Sequence, residues 1–308
     1  MADQDLGRLA QLLDDGAFVV TGELVPPRSP DPQAVRRVAR RLRGVVDAVN
    51  VTDNATARVG MSPLAAGALV AAEGLEPVLQ LTCRDRNRLA LAADLLGAHA
   101  LGIRALLCLS GDPMEVGPFA KEGAKAVFDL DAIGLARLAH RLGRGVGPDG
   151  GTVSPPAPFL VGVAEAPGAD PSKGARLAAK QIAGARFVQT QPVYDPPAFA
   201  AWLGYLAERE LLDRVAILAG VLPPRSAAQL ERFAALPGWS VPAATIERMR
   251  AARDQPAEGV AIAAEVIAAL RALPSPGIRG IHLMGIGPDS GIPEVIEQAG
   301  LLPRPAPA

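Results

Sequence analysis

Cysteine, histidine and aromatic residues are scarce in this chain. Its two cysteines, Cys83 and Cys108, lie in apolar segments without a recurrent spacing, so the sequence predicts neither a disulfide framework nor a zinc site. The three histidines are scattered, with His99 and His140 in helical patterns and His282 in the last strand pattern. No metal site follows from them. Reduced thiols are expected, which is typical of the cytoplasm.

An excess of charge of one sign is also missing, since 31 Lys and Arg residues face 32 Asp and Glu residues. This balance argues against nucleic acid or an anionic membrane as a partner. No charge-free run reaches the roughly 18 residues that a spanning helix needs, and the first residues do not resemble a signal peptide. Neither a Walker phosphate loop nor a Rossmann glycine fingerprint lies between a strand and a helix. We expect a soluble, cytoplasmic protein.

What the chain does have is an alternation of apolar strand patterns with amphipathic helix patterns, which predicts parallel strands joined by crossover helices. Eight strands are predicted, over residues 18–24, 48–52, 77–82, 105–109, 159–164, 187–190, 215–219 and 278–284. An open doubly wound sheet more often has five to seven strands, whereas eight β/α units in about 300 residues are typical of a closed barrel. We therefore predict an α/β fold, a (β/α)8 TIM barrel.

The helix patterns lie between these strands, and two of them begin with Asp or Ser followed by proline, a common helix start. The predicted helices cover residues 31–42, 62–72, 86–96, 131–142, 171–183, 197–210 and 226–235. Residues 242–273 carry two helical patterns, so an extra helix is expected before the last strand. The Gly/Pro-rich run 144–158 is interpreted as a loop, and residues 1–308 as one barrel domain.

Polar residues follow the apolar part of most strands. They are Glu23, Asn50, Thr52, Asp53, Asn54, Gln80, Thr82, Arg84, Asp85, Arg86, Asn87, Ser110, Gly111, Asp112, Glu165, Gln189, Thr190 and Gln191. Because parallel strands point the same way, these residues are expected to meet at the C-terminal rim, where barrel enzymes build their sites.

Some of these residues have a structural explanation of equal weight. Asp53 and the turn residue Asp112 fit either a loop or a site. Asp85 and Arg86 are expected to form an ion pair at a helix start. Glu23 is harder to explain structurally, because a carboxylate in an apolar strand costs several kcal/mol when it is buried without a partner. A desolvated carboxylic acid that keeps its proton is what a general acid requires, so we assign Glu23 a functional role.

Six motifs together resemble the successive strand ends of methylenetetrahydrofolate reductases. They are GELVPP at 22–27, NVTDN at 50–54, LQLTCRDRNR at 79–88, CLSGDP at 108–113, KQIAGARFVQTQPVYD at 180–195 and GVLPP at 220–224. They occur in family order over roughly residues 17 to 300. The motifs resemble those of the small bacterial and acetogen-type enzymes and of the reductase half of homocysteine methyltransferase fusions.

The resemblance implies reduction of 5,10-methylenetetrahydrofolate to 5-methyltetrahydrofolate in one-carbon metabolism, the route to methionine. It implies a bound flavin, FAD or alternatively FMN, which is reduced by NADH or NADPH and passes hydride to the folate. By position, Glu23 resembles the family's acid, which helps to open the five-membered ring. The family also implies a homo-oligomer and a methyltransferase or redox partner.

Further site residues follow from the same resemblance. Asp112 is similar to the aspartate near the flavin pyrimidine edge and the pterin, and is included with Glu23 in the catalytic pair. Gln191 resembles the glutamine that binds the pterin, and Gln80 stands where the family often has a histidine, so it is assigned to folate and flavin. The predicted cofactor-binding set is Thr52, Gln80, Leu109, Ser110, Gly111, Asp112, Asp170, Lys173, Arg176 and Lys180.

The residues for the cofactor tail depart from the family pattern. Ala166 and Asp170 replace a tyrosine and a histidine, and Lys173 and Arg176 replace an acidic and an amide residue. Either these cations bind phosphate directly, or the flavin is FMN, weakly bound or absent. Two alternatives stay open: direct hydride transfer from NAD(P)H, and a non-redox folate-binding partner of a methyltransferase.

Overall fold

The computed structural model describes residues 5–167, 174–236, 239–274, 277–285 and 291–305. Eight parallel strands close into a barrel in sequence order, with the first paired to the last. The strands are β1 Val19–Leu24, β2 Ala48–Val51, β3 Glu76–Thr82, β4 Ala105–Leu109, β5 Leu160–Glu165, β6 Phe187–Pro192, β7 Ala216–Val221 and β8 Gly280–Leu283. The predicted (β/α)8 barrel is confirmed, and each strand lies within two residues of its predicted bounds.

Helices cover the outside of the barrel, and the first of them closes the end at which the strands begin. They are α1 Arg8–Asp14, α2 Pro32–Leu42, α3 Pro63–Ala71, α4 Arg88–Ala100, α5 Ala132–Gly143, α6 Gly174–Ile182, α7 Pro196–Ala207, α8 Ala227–Ala234, α9 Ala243–Ala251, α10 Gln255–Arg271 and α11 Ile292–Gln298. The extra helix predicted before β8 is α9. Helix α1 was not predicted, because its seven residues are too short to give a clear periodic signal.

Local chemistry explains where the outer helices begin. The carboxylate of Asp31 accepts a hydrogen bond from the amide of Gln33, and Pro32 occupies the first turn of α2. Asn87 caps α4 through the amide of Ala90. Each cap satisfies a backbone donor that the helix itself leaves free, so the strand-to-helix loops end at defined positions.

The barrel interior is apolar at its N-terminal end. Leu9 of α1 packs there with residues of several strands, among them Val78, Phe187 and Leu218. Gly162 makes room for the aromatic ring, since a Cβ at this position would lie 2.1 Å from the ring of Phe187. The described residues therefore fill the N-terminal half of the barrel, and ligand access is expected at the C-terminal mouth.

Helix α1 and the strand residues packed on it form an apolar plug at the N-terminal end of the barrel. A buried carboxyl group, that of Glu76, links α1 to β3. Oε2 of Glu76 accepts a hydrogen bond of 2.8 Å from the amide of Leu9, while Oε1 is buried without a partner among the described residues. Burial raises the pKa of Glu76 to about 7, although the Leu9 hydrogen bond and the charge of Arg8 act in the opposite direction.

Glu76→Gln is therefore expected to flatten the pH dependence of stability between about pH 4.5 and 7. In this window the folded wild type holds a proton that the unfolded chain releases, so its free energy of unfolding falls as the pH rises and levels off above the folded pKa. The loss that the variant removes is on the order of 3 kcal/mol. Urea denaturation at several pH values measures it. Glu294→Gln, at a half-exposed surface pair with Arg41, is the control, and an unchanged slope in Glu76→Gln contradicts the assignment.

Both cysteines are free and buried. Burial raises the pKa of the Cys83 thiol to about 12, and it raises that of Cys108 as well. Neither thiol is suited to nucleophilic chemistry near neutral pH. In the described part of the chain, no helix is long and apolar enough to cross a bilayer.

Candidate active site at the barrel mouth

Above the apolar plug, the inward-facing positions of the barrel become polar. Asn50 of β2 and Gln189 of β6 form a reciprocal pair of amide hydrogen bonds of 2.6 and 3.0 Å across the interior. Gln189 also donates to the hydroxyl of Thr21 on β1, at 3.2 Å. All three side chains are almost completely buried. Because β6 is not a neighbour of β1 or β2, these bonds cross the lumen and define a polar layer halfway up the barrel.

Glu23 lies on β1 two residues above Thr21, and therefore faces the lumen one layer nearer the mouth. Its side chain is 17% exposed, and Oε2 lies 3.7 Å from Nε2 of the buried His282 on β8. No Lys or Arg of the described residues forms an ion pair with Glu23. The predicted acid is thus a largely enclosed carboxyl group next to a single imidazole, with access to whatever binds at the mouth.

The rim formed by β2 and β3 is held by a buried ion pair. The carboxylate of Asp53 accepts hydrogen bonds from the amide and hydroxyl of Thr82, at 2.8 and 2.9 Å, and from the guanidinium of Arg86 at 2.6 Å. Arg86 also reaches Asp94 on α4, at 2.9 Å. Asp53 therefore connects the end of β2 to the end of β3, and its carboxylate is fully buried.

The ion pair expected between Asp85 and Arg86 is wrong. Asp85 instead pairs with Arg84, which is 1% exposed and makes two bonds of 2.7 and 2.6 Å to the carboxylate. Burial alone would raise the pKa of Asp85, but the hydrogen bonds from Arg84 and Asn54 bring it below its ordinary value. Arg84 also donates to the carbonyls of Asn54 and Asp112, so one guanidinium joins the loops after β2 and β4. Asp85 has an arginine on each side in the sequence, and the path of the loop decides that Arg84 is its partner.

The turn after β4 contains Ser110, Gly111 and Asp112. The hydroxyl of Ser110 accepts from the amide of Ala132 at the start of α5. Gly111 has φ of 96°, a left-handed conformation that favours glycine. The exposed carboxylate of Asp112 accepts from the amide of Thr56 at 2.9 Å and keeps its other oxygen available. Asp112 thus shapes the mouth and still presents an acceptor to it.

Two predicted ligand-binding amides face the mouth without internal partners. Gln80 of β3 and Gln191 of β6 make no side-chain hydrogen bond with a described residue, and Gln191 is partly exposed. Gln191 follows Gln189 on the same inner face, as Glu23 follows Thr21. Leu109 is partly buried at the end of β4, and the Thr52 hydroxyl is buried without a partner in the described chain.

The residues predicted to bind the cofactor tail differ in exposure and in their partners. Lys180 on α6 is buried, and its ammonium group lies 2.6 Å from both the carbonyl of Ala164 and Oε1 of Glu165. Arg176 is exposed one turn earlier on the same helix. Asp170 and Lys173 lie outside the described residues. As placed, Lys180 neutralises Glu165, and Arg176 is free of ion-pair partners among the described residues.

A family model described as methylenetetrahydrofolate reductase matches residues 8–300 of this chain. The chain belongs to this family. Methylenetetrahydrofolate reductase 2 of Schizosaccharomyces pombe is 25% identical over 240 residues, which are 73% of this chain and 36% of the yeast protein. Methylenetetrahydrofolate reductase 1 of the same yeast is 24% identical over 238 residues, 74% of this chain and 36% of its own length. The chain thus spans about a third of these curated relatives.

Solved structures agree on the fold of this methylenetetrahydrofolate reductase family member. An uncharacterised Clostridium thermocellum protein that binds two copies of 5-methyl-5,6,7,8-tetrahydrofolic acid has a TM-score of 0.65, with 14% identity, covering 94% of this chain and 97% of that one. EDTA monooxygenase from Chelativorans has a TM-score of 0.54 and 13% identity, with 92% of each chain covered. At these identities the likeness concerns the barrel alone.

The sequence patterns do not predict the polar layer beneath the family motifs. They place His282 in a strand without a role, and Asn50 and Gln189 among the polar strand residues. A signal was available, since polar residues recur at spacing two in Thr21 and Glu23 and again in Gln189 and Gln191. This period marks the inner face of a barrel strand, and it predicts that Thr21 and Gln189 lie deeper in the lumen than Glu23 and Gln191.

Proposed function

We propose that this family member reduces 5,10-methylenetetrahydrofolate to 5-methyltetrahydrofolate with electrons from NADH or NADPH, and that Glu23 is the acid. The observation that carries the proposal is the environment of Glu23: a lumen-facing carboxyl group, 17% exposed, that no described Lys or Arg holds in its ionised form. Such a group is suited to give a proton to a bound amine.

In the reaction, the bond between the methylene carbon and the leaving amine of the five-membered ring breaks. The electron pair stays on that nitrogen, which takes the proton of Glu23, and the methylene carbon becomes part of an iminium ion. A hydride then adds to this carbon and completes the methyl group. Glu23, which retains some exposure, recovers a proton from solvent.

The polar groups around the mouth would orient the folate. The amides of Gln191 and Gln80 each offer donors and an acceptor, which suits the mixed edge of a pterin ring. The free carboxylate oxygen of Asp112 suits the amino and N–H donors of the same ring. These contacts would hold the leaving amine against Glu23, so that the proton transfer occurs within one complex.

A flavin is the group that the family implies, and when bound it supplies a ring that relays hydride. The residues at the mouth fit the ring end of a flavin, because Gln80 and Asp112 present unused hydrogen-bonding atoms. At the phosphate end, the described cation available is Arg176. We therefore assign the ring to the mouth and the phosphate to Arg176, with FAD or FMN as the bound form.

Arg176→Gln is accordingly expected to weaken flavin retention about tenfold, because a charge-assisted phosphate contact is lost. Arg137→Gln, another exposed arginine on the neighbouring helix α5, is the matched control. Fluorescence titration with FAD and FMN gives both dissociation constants. Equal affinities in the two variants contradict the assignment of Arg176.

A second candidate is direct hydride transfer from the nicotinamide to the iminium without a flavin. The arrangement of Lys180 favours it, since this lysine, predicted to bind the cofactor, is buried and donates instead to Glu165 and Ala164. The hydroxyl of Ser110 is likewise used inside the protein, by the first turn of α5. Both routes use the same acid and the same folate contacts.

An absorbance spectrum separates the two routes. The purified protein is measured before and after incubation with FAD or FMN and removal of free dye, and then with NADH or NADPH. Retained flavin that bleaches supports the flavin route. A colourless protein that oxidises NAD(P)H only when folate is present supports direct transfer. Folate binding without any oxidation overturns the proposal and points to a non-redox folate binder. The cytoplasmic location, the homo-oligomer, the protein partner and the assignment of residues 1–308 to one domain stay predictions.

A further inference from the structure

The polar layer under Glu23 has a defined hydrogen-bond direction. Gln189 and Asn50 exchange hydrogen bonds, and the second N–H of the Gln189 amide points to Thr21. Because Thr21 accepts this bond, its own hydroxyl proton is available for another acceptor. Nδ1 of His282 lies 2.9 Å from the hydroxyl oxygen, whereas the carbonyl of Ile281 lies at 3.4 Å. The shorter contact makes Nδ1 the better acceptor.

This direction determines the tautomer of His282. If Nδ1 accepts from Thr21, the proton of the neutral ring is on Nε2. Nε2 is the atom that lies 3.7 Å from Oε2 of Glu23. The chain of donors therefore runs from Gln189 through Thr21 to His282, and its last N–H is directed at the acid.

We propose that His282 is a positioning residue that presents an Nε2–H donor to Glu23 and stabilises the carboxylate formed when Glu23 releases its proton. The inference rests on the proposed function, in which Glu23 is the acid. At 3.7 Å the contact is longer than a hydrogen bond, and it strengthens as negative charge develops on Oε2. An interaction that is stronger in the transition state than in the ground state raises the rate of the chemical step.

Burial adds to the effect. His282 is 2% exposed, so little water competes for its N–H. Gln189, which is itself held by Asn50, keeps Thr21 oriented from the opposite wall. In the described chain, no other charged group forms an ion pair with His282 or Glu23. The donor is thus preorganised for one acceptor, which is the condition under which such a group contributes most.

Three replacements of His282 test the proposal: leucine removes both ring nitrogens, glutamine places an amide nitrogen near the position of Nε2, and asparagine places one near the position of Nδ1. His282→Leu is expected to lower kcat at least about tenfold, with KM for folate changed less than about threefold. His282→Gln places an N–H near Glu23 and is expected to recover most of the lost kcat. His282→Asn reaches only Thr21 and is expected to behave like the leucine variant. The exposed His140→Gln is the control.

A double mutant separates failure of this inference from failure of the proposed function. In a Glu23→Gln background, His282→Leu is expected to cost less than about twofold in addition, because its partner is already gone. If Glu23→Gln keeps full turnover, the proposed acid itself is wrong. If Glu23→Gln is impaired but His282→Leu is not, or if the two losses multiply, only the positioning role is overturned.

The tautomer can be checked without turnover. The chain has three histidines, so ¹⁵N-labelled imidazole signals are assigned by comparison with His282→Gln. The expected spectrum has a protonated Nε2 and an unprotonated Nδ1 for His282, and Thr21→Val is expected to remove this preference. A ring protonated on Nδ1 in the wild type overturns the proposal. This measurement also decides the matter if His282→Leu fails to fold.

Discussion

Glu23→Gln is expected to lower turnover of 5,10-methylenetetrahydrofolate by about a thousandfold, within the range that removal of a general acid gives. The amide has the size of the carboxyl group and still forms hydrogen bonds, so the folate dissociation constant is expected to change less than about threefold. The measurement is the rate of folate-dependent NAD(P)H oxidation, together with folate affinity by calorimetry.

Two comparisons make the result specific to the proton. Glu294→Gln, the same change at the half-exposed surface pair with Arg41, is expected to leave turnover unchanged. Where a flavin is bound, its reduction by NAD(P)H is expected to proceed normally in Glu23→Gln, because that step needs no acid at the folate. Full folate turnover in Glu23→Gln would show that another group protonates the amine.

The second large effect concerns stability. Asp53→Ala is expected to lower the free energy of unfolding by about 3 to 5 kcal/mol, the usual cost of removing one partner of a buried pair. The carboxylate of Asp53 is fully enclosed and holds Arg86 together with the amide and hydroxyl of Thr82. Without the carboxylate, the amide and hydroxyl of Thr82 and the guanidinium of Arg86 lose their acceptor. Of these groups, Arg86 alone keeps a second partner, Asp94.

Urea denaturation measures this cost, with Asp129→Ala as the matched control. Asp129 forms the same kind of bidentate pair with Arg88, at 2.9 Å, but at the surface, so a much smaller loss is expected there. Equal losses in the two variants would contradict the structural role of Asp53. Asp53→Asn is expected to be intermediate, since an amide oxygen can still accept from Thr82.

The elements of the barrel were predictable because the signals for them are local. A strand such as β4 is a run of apolar residues, and a helix such as α2 begins at an Asp-Pro step, so neighbours in sequence are enough to locate both. The same holds for Glu23, which is conspicuous as a carboxylate in an apolar strand. Its enclosure by the lumen agrees with that expectation.

Contacts that depend on the path of the chain in space were not predictable in this way. The pairing of Asp85 with Arg84 and that of Glu165 with Lys180 depend on loop paths, and the packing of α1 under the strands depends on the stagger with which they close. The local sequence pattern contains no information on these paths or on the stagger. Lys180 is a clear example, because the family resemblance predicted a cofactor-binding group and its ammonium is instead buried against Glu165.

The sequence by itself determined the alternation of eight strands and helices, the family motifs at the strand ends and the position of the proposed acid, since each is encoded in a short stretch of chain. Only the tertiary structure decided that Asn50, Gln189 and Thr21 form one layer and that His282 lies next to Glu23. Those contacts join β6 to β1 and to β2, and β8 to β1. They exist only when the sheet is closed, because closure brings the inner faces of distant strands together.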